Sequence, residues 1–554
     1  MNEMIVVRLN NFLFNAGVVG FVYMLERCNI SKELYRIGGS ELYIAPELFT
    51  TGQYNLSQLY FQALRSRFED DTAWKRLKEL EGEIRRLDLS SEDGEKKFDL
   101  VIKEGLLGKN KKLESASYKS GYDIVKQYYN DTYDVLSEWK DLRKAKERET
   151  QREKLLIILQ YIQKYPEVFC YKDIAYTKIN TIWNSVAFLY AQNSKKNMLE
   201  CYTETFLNPL KKYLLNSRKG KDQCIECGAR IKKDEAQGLS WLQMGVDHKR
   251  KKSYFWNMIP DSFLCPVCAL IYSYAPLGFV FAAGKKDAVF INNNFSIVDL
   301  QRDNEGFARE KIGEMQNISD VCYRLTSQLL QRGLELKEHE LDNIQVIIRR
   351  SDKYEISIIS KRNLEVLQQC RTSFEKISRI VIKVKEDYLN VYDEVLHNFL
   401  TGINNYLLIN KVLRQEQLNP RFLWHVLKIQ IYSKGGEKMG PDKEYSRVKA
   451  MAYHGAELRN ALSSKKEDAD NKVRGIVYQL LNALQVKDAR RFMDISLRIY
   501  TGLGKEIPRL FLQMFENDDV FRNLGYAFVL GLKGEEKASD KNNDNVKEEV
   551  SNAK

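Results

Sequence analysis

The sequence predicts an α+β fold that is predominantly helical: an amino-terminal α+β part with an embedded four-cysteine module, and a carboxyl-terminal helical bundle. Three observations carry this expectation. Apolar residues make up 44% of the 554, with 31 Tyr, 25 Phe and 6 Trp, enough for more than one packed core. Only nine prolines occur, which favours long helices over loop-rich sandwiches. Short β-type runs stand apart between long stretches of helical period. The division that follows is an N-terminal α+β domain with a helical insert over 1–220 and the cysteine module over 221–284. An α+β continuation over 285–385, a helical bundle over 386–533 and a disordered tail over 534–554 complete it.

Each element has its own signal. Met4-Ile5-Val6-Val7-Arg8-Leu9 reads as a strand, Asn10 and Asn11 suit a helix start, and the apolar run to Leu25 reads as a packed helix. Within it Gly17 and Gly20 would let another backbone come close, since their spacing fits neither the dinucleotide-binding pattern nor the P-loop. Leu56 to Asn216 keeps helical period almost throughout, with a surface loop expected near Ser90 to Glu95. Between Lys140 and Lys154 seven basic and four acidic side chains alternate, as on a solvated helix face with i to i+4 pairs. Cys268 to Ala283 is apolar but too short to span a bilayer and contains Pro276 and Gly278, so it reads as buried core. Ala288–Ile291, Val346–Ile348 and Ile356–Ile359 read as strands. Leu389, Tyr392, Leu396, Phe399 and Ile403 then take helical spacing, as do Val473, Val477, Leu480, Leu481 and Leu484, and Phe492, Ile495 and Ile499. Beyond Lys533 the chain is charged and Asn-rich without aromatics, which predicts disorder.

A formal charge of +12 is compatible with a polyanionic partner. Neither a signal-type amino terminus nor a spanning segment is read, so a cytoplasmic location without membrane association is expected. Of nine cysteines, Cys28, Cys170, Cys201, Cys322 and Cys370 are isolated in apolar or helical surroundings, as reduced core thiols are.

The other four form two knuckles, Cys224-Ile225-Glu226-Cys227 and Cys265-Pro266-Val267-Cys268, separated by 37 residues. Four thiolates at this spacing satisfy a tetrahedral zinc ion, and full ligation leaves no open position, so the zinc is expected to be structural. Between the knuckles, Lys249, Arg250, Lys251 and Lys252 run without an acid beside Tyr254, Phe255 and Trp256, a combination suited to phosphates and stacked bases. The same segment offers a rival reading as a zinc-braced HNH-type endonuclease through Asp247, His248 and Asn257. Against it, an apolar run follows Cys268 where a polar metal ligand is wanted, and four cations follow His248. His339, His397, His425 and His454 are widely separated, and no Walker lysine, Gly-x-Ser-x-Gly elbow or paired-Asp motif is present. A non-enzyme is expected; a helical nucleic-acid-binding scaffold is the remaining alternative.

With the glycine-bearing opening Asn15–Phe21, the two knuckles, and the strand end Phe290-Ile291-Asn292-Asn293-Asn294, the chain resembles the paired-CXXC large subunits of type I-B CRISPR Cascade complexes. The resemblance does not extend to the helical insert. It implies a non-catalytic subunit that recognises the protospacer-flanking motif in double-stranded DNA, aids strand opening and recruits a helicase-nuclease in antiviral defence. Its partners would be crRNA, target DNA, the other Cascade backbone subunits and that helicase-nuclease. Asn292, Asn293 and Asn294 carry amides able to read base edges. The carboxyl third would correspond to a small subunit that lines the displaced strand. From Asn471 to Tyr500 six cations, Lys472, Arg474, Lys487, Arg490, Arg491 and Arg498, face only Asp488 and Asp494. Gly435-Gly436-Glu437-Lys438 before Met439 can be encoded as a ribosome-binding sequence, so an internally translated small subunit starting at Met439 is expected; a glycine hinge is the alternative.

Overall fold

The computed structural model describes residues 4–100, 112–215, 220–242, 262–282, 286–305, 321, 344–350, 353–378, 380–384, 387–415, 420–434, 440–463 and 469–534. The chain divides into two compact units, Met1–Leu325 with Asn343–Ile358, and Thr326–Asp342 with Ile359–Lys554. The fold is α+β and mostly helical, with small antiparallel sheets.

In the first unit, β1 (Ile5–Arg8) alternates buried and exposed residues and joins β2 (Tyr35–Gly38) and β3 (Glu41–Ile44) in a three-stranded antiparallel sheet with β3 at its centre. Asn11 caps α1 (Phe12–Arg27), its Oδ1 accepting from the Leu13 and Phe14 amides at 3.1 and 3.0 Å. Residues 13–22 of α1 are all buried, which marks a helix at the centre of a core. A later segment covers it: α8 (Pro266–Ser273) and α9 (Ala275–Gly278), from the apolar run after the second knuckle. The approach is backbone to backbone. A Cβ added to Gly17 would lie 2.3 Å from the Ile271 carbonyl oxygen, one on Gly20 2.1 Å from that of Tyr274, and one on Gly278 2.1 Å from that of Ala16. The glycines therefore serve close packing, as their spacing indicates.

A layer of helices lies on the same core: α2 (Leu56–Phe68), α3 (Ala73–Arg86), α4 (Ala116–Tyr128), α5 (Val135–Lys144), α6 (Arg148–Lys164) and α7 (Pro166–Ile174). Its aromatic side chains anchor the end of α8, because the Ser273 carbonyl accepts from Tyr60 Oη and Trp183 Nε1, both at 3.0 Å. The loop expected near Ser90–Glu95 is instead largely a helix start, Glu92–Leu100. The Gly94 amide donates to Ser91 Oγ at 3.1 Å, which turns a charged stretch into a capped terminus. The alternating charges of Lys140–Lys154 fall on α5 and α6 and pair both along a helix, Lys144 with Asp141 and Arg152 with Glu149, and across elements, Lys154 with Glu138, Arg148 with Asp99 and Arg143 with Glu114.

The second sheet of this unit is antiparallel in the order β6 (Val280–Phe281), β7 (Ala288–Asn292), β8 (Gln345–Arg350) and β9 (Lys353–Ile358), with Phe290 opposite Ile347. All five residues of β7 are buried. The strand expected to reach Ile359 ends at Ile358.

The second unit begins with α11 (Lys361–Gln369) and α12 (Arg371–Ile377), followed by a hairpin of β10 (Val381–Val384) and β11 (Asp387–Asn390). Helices α13 (Val391–Thr401), α14 (Tyr406–Leu413), α15 (Leu423–Lys434), α16 (Pro441–Ser463), α17 (Ala469–Gln485), α18 (Ala489–Gly502) and α19 (Asp518–Lys533) form the bundle. Leu389 lies in β11 rather than in a helix, and Ile403 is exposed, because Gly402 in the left-handed region at φ +71° ends α13 before it. Helices α16 and α19 cross as closely as α1 and α8: a Cβ on Gly455 would sit 2.2 Å from the Phe528 carbonyl oxygen, and one on Gly531 1.9 Å from that of Ala452. Residues 534–554, where a disordered tail is expected, lie outside the described residues except for Gly534.

Replacing Gly20 with Ala should destabilise the first unit by about 3 kcal/mol or more, since the clash is with main chain and neither helix can give way alone. Chemical denaturation against the wild-type chain measures it, and the surface variant Gly82→Ala, whose Cβ meets nothing within 4 Å, is the control.

Candidate metal centre

The first knuckle is a tight turn between two short paired strands, β4 (Asp222–Gln223) and β5 (Arg230–Ile231). Its loop is closed by Cys224 N donating to the Ala229 carbonyl and Gly228 N donating to the Cys224 carbonyl, both at 2.9 Å. Gly228 has φ +69°, a conformation that suits glycine and lets the turn bring both sulfurs to one side. The second knuckle is a helix start. Cys265 is the N-cap of α8, its Sγ accepting from Cys268 N at 3.4 Å, with Pro266 in the first turn. The Ile225 amide donates to the Phe263 carbonyl at 2.9 Å and so docks one knuckle on the other.

The four Sγ atoms of Cys224, Cys227, Cys265 and Cys268 all lie within 4.8 Å of one another. Cys227 and Cys265 sulfurs are 3.7 Å apart. A tetrahedral zinc with sulfurs at about 2.3 Å would separate them by about 3.8 Å. Cys224, Cys265 and Cys268 are buried and Cys227 is exposed, so the cluster sits at the edge of the core with Cys227 on its solvent side. Hydrogen bonds from the Cys227, Cys265 and Cys268 thiols push the Cys224 thiol well below its ordinary range. Cys265 and Cys268, tied by hydrogen bonds to Cys224, are pushed up. Four thiols brought this close can all lose their protons only against a cation, and four thiolates select a soft one. The cluster can hold a metal ion and is consistent with zinc. Among the described residues no other group of three or more His, Cys, Asp or Glu side chains converges in this way.

A residue inside the first knuckle, Glu226, ties the site to the amino terminus. Its carboxylate accepts from Asn10 Nδ2 at 2.8 Å, from Asn11 Nδ2 at 3.0 and 3.1 Å, and from Tyr272 Oη at 2.5 Å. Burial pushes the Glu226 carboxyl up, against the hydrogen bonds from Tyr272 and Asn10. Asn11 thus caps α1 with its oxygen and holds the knuckle with its nitrogen. Sequence reading found Asn10 and Asn11 as a helix start only; the one local signal for more was an acid placed between two metal-ligand cysteines.

The asparagines expected to read base edges are placed differently. Asn292 and Asn293 are buried, and their amides are committed inside the protein. Asn292 donates to Gln345 Oε1 at 3.1 Å and accepts from Asn15 Nδ2 at 2.8 Å, while Asn293 donates to Asp303 Oδ2 at 2.6 Å. Asp303 lies in α10 (Ile297–Glu305), which Asn293 joins to the end of β7. These two residues organise a strand end and are withdrawn from any groove; Asn294 is exposed, with its oxygen accepting from Asn15 Nδ2 at 2.7 Å.

Lys249, Arg250, Lys251 and Lys252, with Asp247, His248, Asn257 and the adjoining aromatics, lie outside the described residues, as do Met439 and His339. The remaining basic candidates belong to the second unit. Lys472 and Arg474 are exposed on α17, and Arg490, Arg491 and Arg498 on α18. Lys487 stands between the two helices at φ +60° and pairs with Asp518 at 3.0 Å. His425 Nδ1 meets Ser373 Oγ at 3.3 Å and burial holds its pKa below the ordinary range, which is the setting of a core histidine. Cys28, Cys170, Cys201 and Cys370 are free thiols. Among the described residues no helix is long and apolar enough to cross a membrane.

Residues 217–280 match the family model described as CRISPR-associated protein (Cas_CXXC_CXXC). The match spans both knuckles and supports a CRISPR-associated protein with paired CXXC motifs. No curated protein matches the chain.

Elemental analysis of the purified chain should find about one zinc per chain, and Cys265→Ser should lose it. Cobalt substitution should give the charge-transfer bands of a tetrahedral thiolate site. Because α8 begins at Cys265, chelation should lower the melting temperature of the wild type and leave Cys265→Ser unmoved.

Proposed function

We propose that this chain is the large, non-catalytic subunit of a CRISPR RNA-guided DNA surveillance complex of the Cascade type, type I-B in class. The observation that carries the reading is the four-thiolate cluster: it lies in the segment that matches a CRISPR family model, and it is closed, with all four positions taken by sulfur. In such a complex guide pairing reads sequence, while a protein subunit reads the short flanking motif and the shape of the duplex. The cluster would brace the segment between the knuckles, so that Lys249 to Lys252 meet phosphates and the adjoining aromatics meet bases. Strand opening and recruitment of a helicase-nuclease would follow, with no chemistry in this chain.

The second unit would line the displaced strand. Arg491 and Arg498 are seven residues apart on α18 and share a face, so both can reach one phosphate backbone. A product starting at Met439 would contain α16 to α19, of which α16 and α19 pack closely through Gly455 and Gly531.

Co-expression with a guide RNA and the neighbouring subunits should yield one particle containing this chain and crRNA; a chain that never enters an RNA-bearing particle would falsify the reading. Replacing Arg490, Arg491 and Arg498 together with Gln should weaken single-stranded DNA binding and reduce the slope of log K against log salt by about 2, at about 0.7 per phosphate contact. An unchanged slope would remove α18 from the DNA path. A Met439→Leu gene that still yields a shorter carboxyl-terminal product would remove the internal start.

A further inference from the structure

The second unit contains an aromatic side chain that faces solvent and is nevertheless fixed from behind. Tyr478, on α17, is 58% exposed. The Arg414 guanidinium lies over its ring, 5.0 Å from the centroid. That arginine, just past the end of α14, is itself immobilised: Nε donates to Asn410 Oδ1 at 2.7 Å, and one terminal nitrogen donates to Asn482 Oδ1 at 2.7 Å and Gln485 Oε1 at 3.0 Å. Asn410 is buried and anchored in turn, its Nδ2 donating to the Leu481 carbonyl at 3.2 Å and to Tyr526 Oη at 3.1 Å. Three helices, α14, α17 and α19, thus hold one cation in place behind one exposed ring.

A surface tyrosine that only solvates a helix does not need this support. A rigid ring backed by a cation is what stacking on a flat π-system requires, because the ring is already ordered before the partner arrives. The charge around it defines the partner. Neither α14 nor the part of α17 within two turns of Tyr478 contains an acid, the one acid of α17 being Asp470 at its start, whereas Lys411, Arg414, Lys472 and Arg474 supply cations. Arg474, Tyr478, Asn482 and Gln485 follow one another at helical spacing and so form one stripe. An aromatic face flanked by cations, with the nearest acid of its helix, Asp470, two turns away, fits a chain of bases joined by phosphates; bases in a duplex are already stacked and offer no free face.

We propose that Tyr478, positioned by Arg414, is a base-stacking platform for single-stranded nucleic acid. The proposal rests on the reading of this chain as a nucleic-acid-handling protein, and it assigns stacking to a residue outside the basic set Lys472 to Arg498, which would act on phosphates.

The test uses the full chain and fluorescent oligothymidine, with an abasic strand of the same length as comparison, read by anisotropy at low salt. Tyr478→Ala should weaken oligothymidine binding about tenfold, and Tyr478→Phe should stay close to wild type. On the abasic strand the Ala variant and the wild type should bind alike, and the salt slope should not change between them. Oligouridine in a parallel titration distinguishes RNA from DNA as the stacked strand. Equal binding of oligothymidine by wild type and Tyr478→Ala would overturn the platform, and so would an equal loss on the abasic strand. A chain that shows the Tyr478 effect but never joins a crRNA particle overturns the surveillance reading alone; a chain that joins the particle without the effect overturns the platform alone.

Discussion

Two helices that touch through their backbones, α1 and the α8–α9 segment, are the constraint on which the first unit depends. Gly17 and Gly20 on one side and Gly278 on the other remove the side chains that would keep the two backbones apart, so main chain meets main chain at these positions. The metal knuckle is set by that contact, because Cys265 and Cys268 form the first turn of α8. The Ser273 carbonyl, held by Tyr60 and Trp183, fixes the far end of the same helix. The cysteine site is accordingly a corner of the core rather than an appended finger.

The second unit uses the same device with different contents. Gly455 and Gly531 bring α16 and α19 together, and polar side chains fill the space beside them. Tyr406 Oη donates to Asn523 Oδ1 at 2.9 Å, and Asn523 Nδ2 donates to Glu444 Oε1 at 2.6 Å. Burial raises the Glu444 pKa, which the Asn523 hydrogen bond opposes. Paired buried polar groups of this sort fix one register between helices that an all-apolar seam would leave adjustable.

What the sequence conveyed is what depends on neighbours along the chain. The cysteine ligands are legible because each pair is set by a local turn, the cap at Asn11 because capping reaches only three residues, and β7 because a fully buried strand is a run of apolar residues. The helix from Glu92 was missed because a hydroxyl cap at Ser91 outweighed a glycine and a string of charges. Asn292 and Asn293 were misplaced for a different reason: an amide that reads a base and an amide that satisfies a buried strand end have the same chemistry and differ only in their surroundings. Nothing in the order of residues pairs Asn15 with Asn292 or Glu226 with Asn10 and Tyr272; those partners meet only once the fold has closed.

The knot at Glu226 also has a consequence in time. Asn11 and its partner Tyr272 are separated by 261 positions. At about 5 to 20 residues per second, α1 leaves the ribosome roughly 13 to 52 s before the helix that covers it. For that interval an almost wholly apolar helix has neither its glycine-matched neighbour nor its carboxylate clasp. The helical layer made in between can shelter it until the second pair of cysteines emerges and α8 closes on the oldest part of the unit.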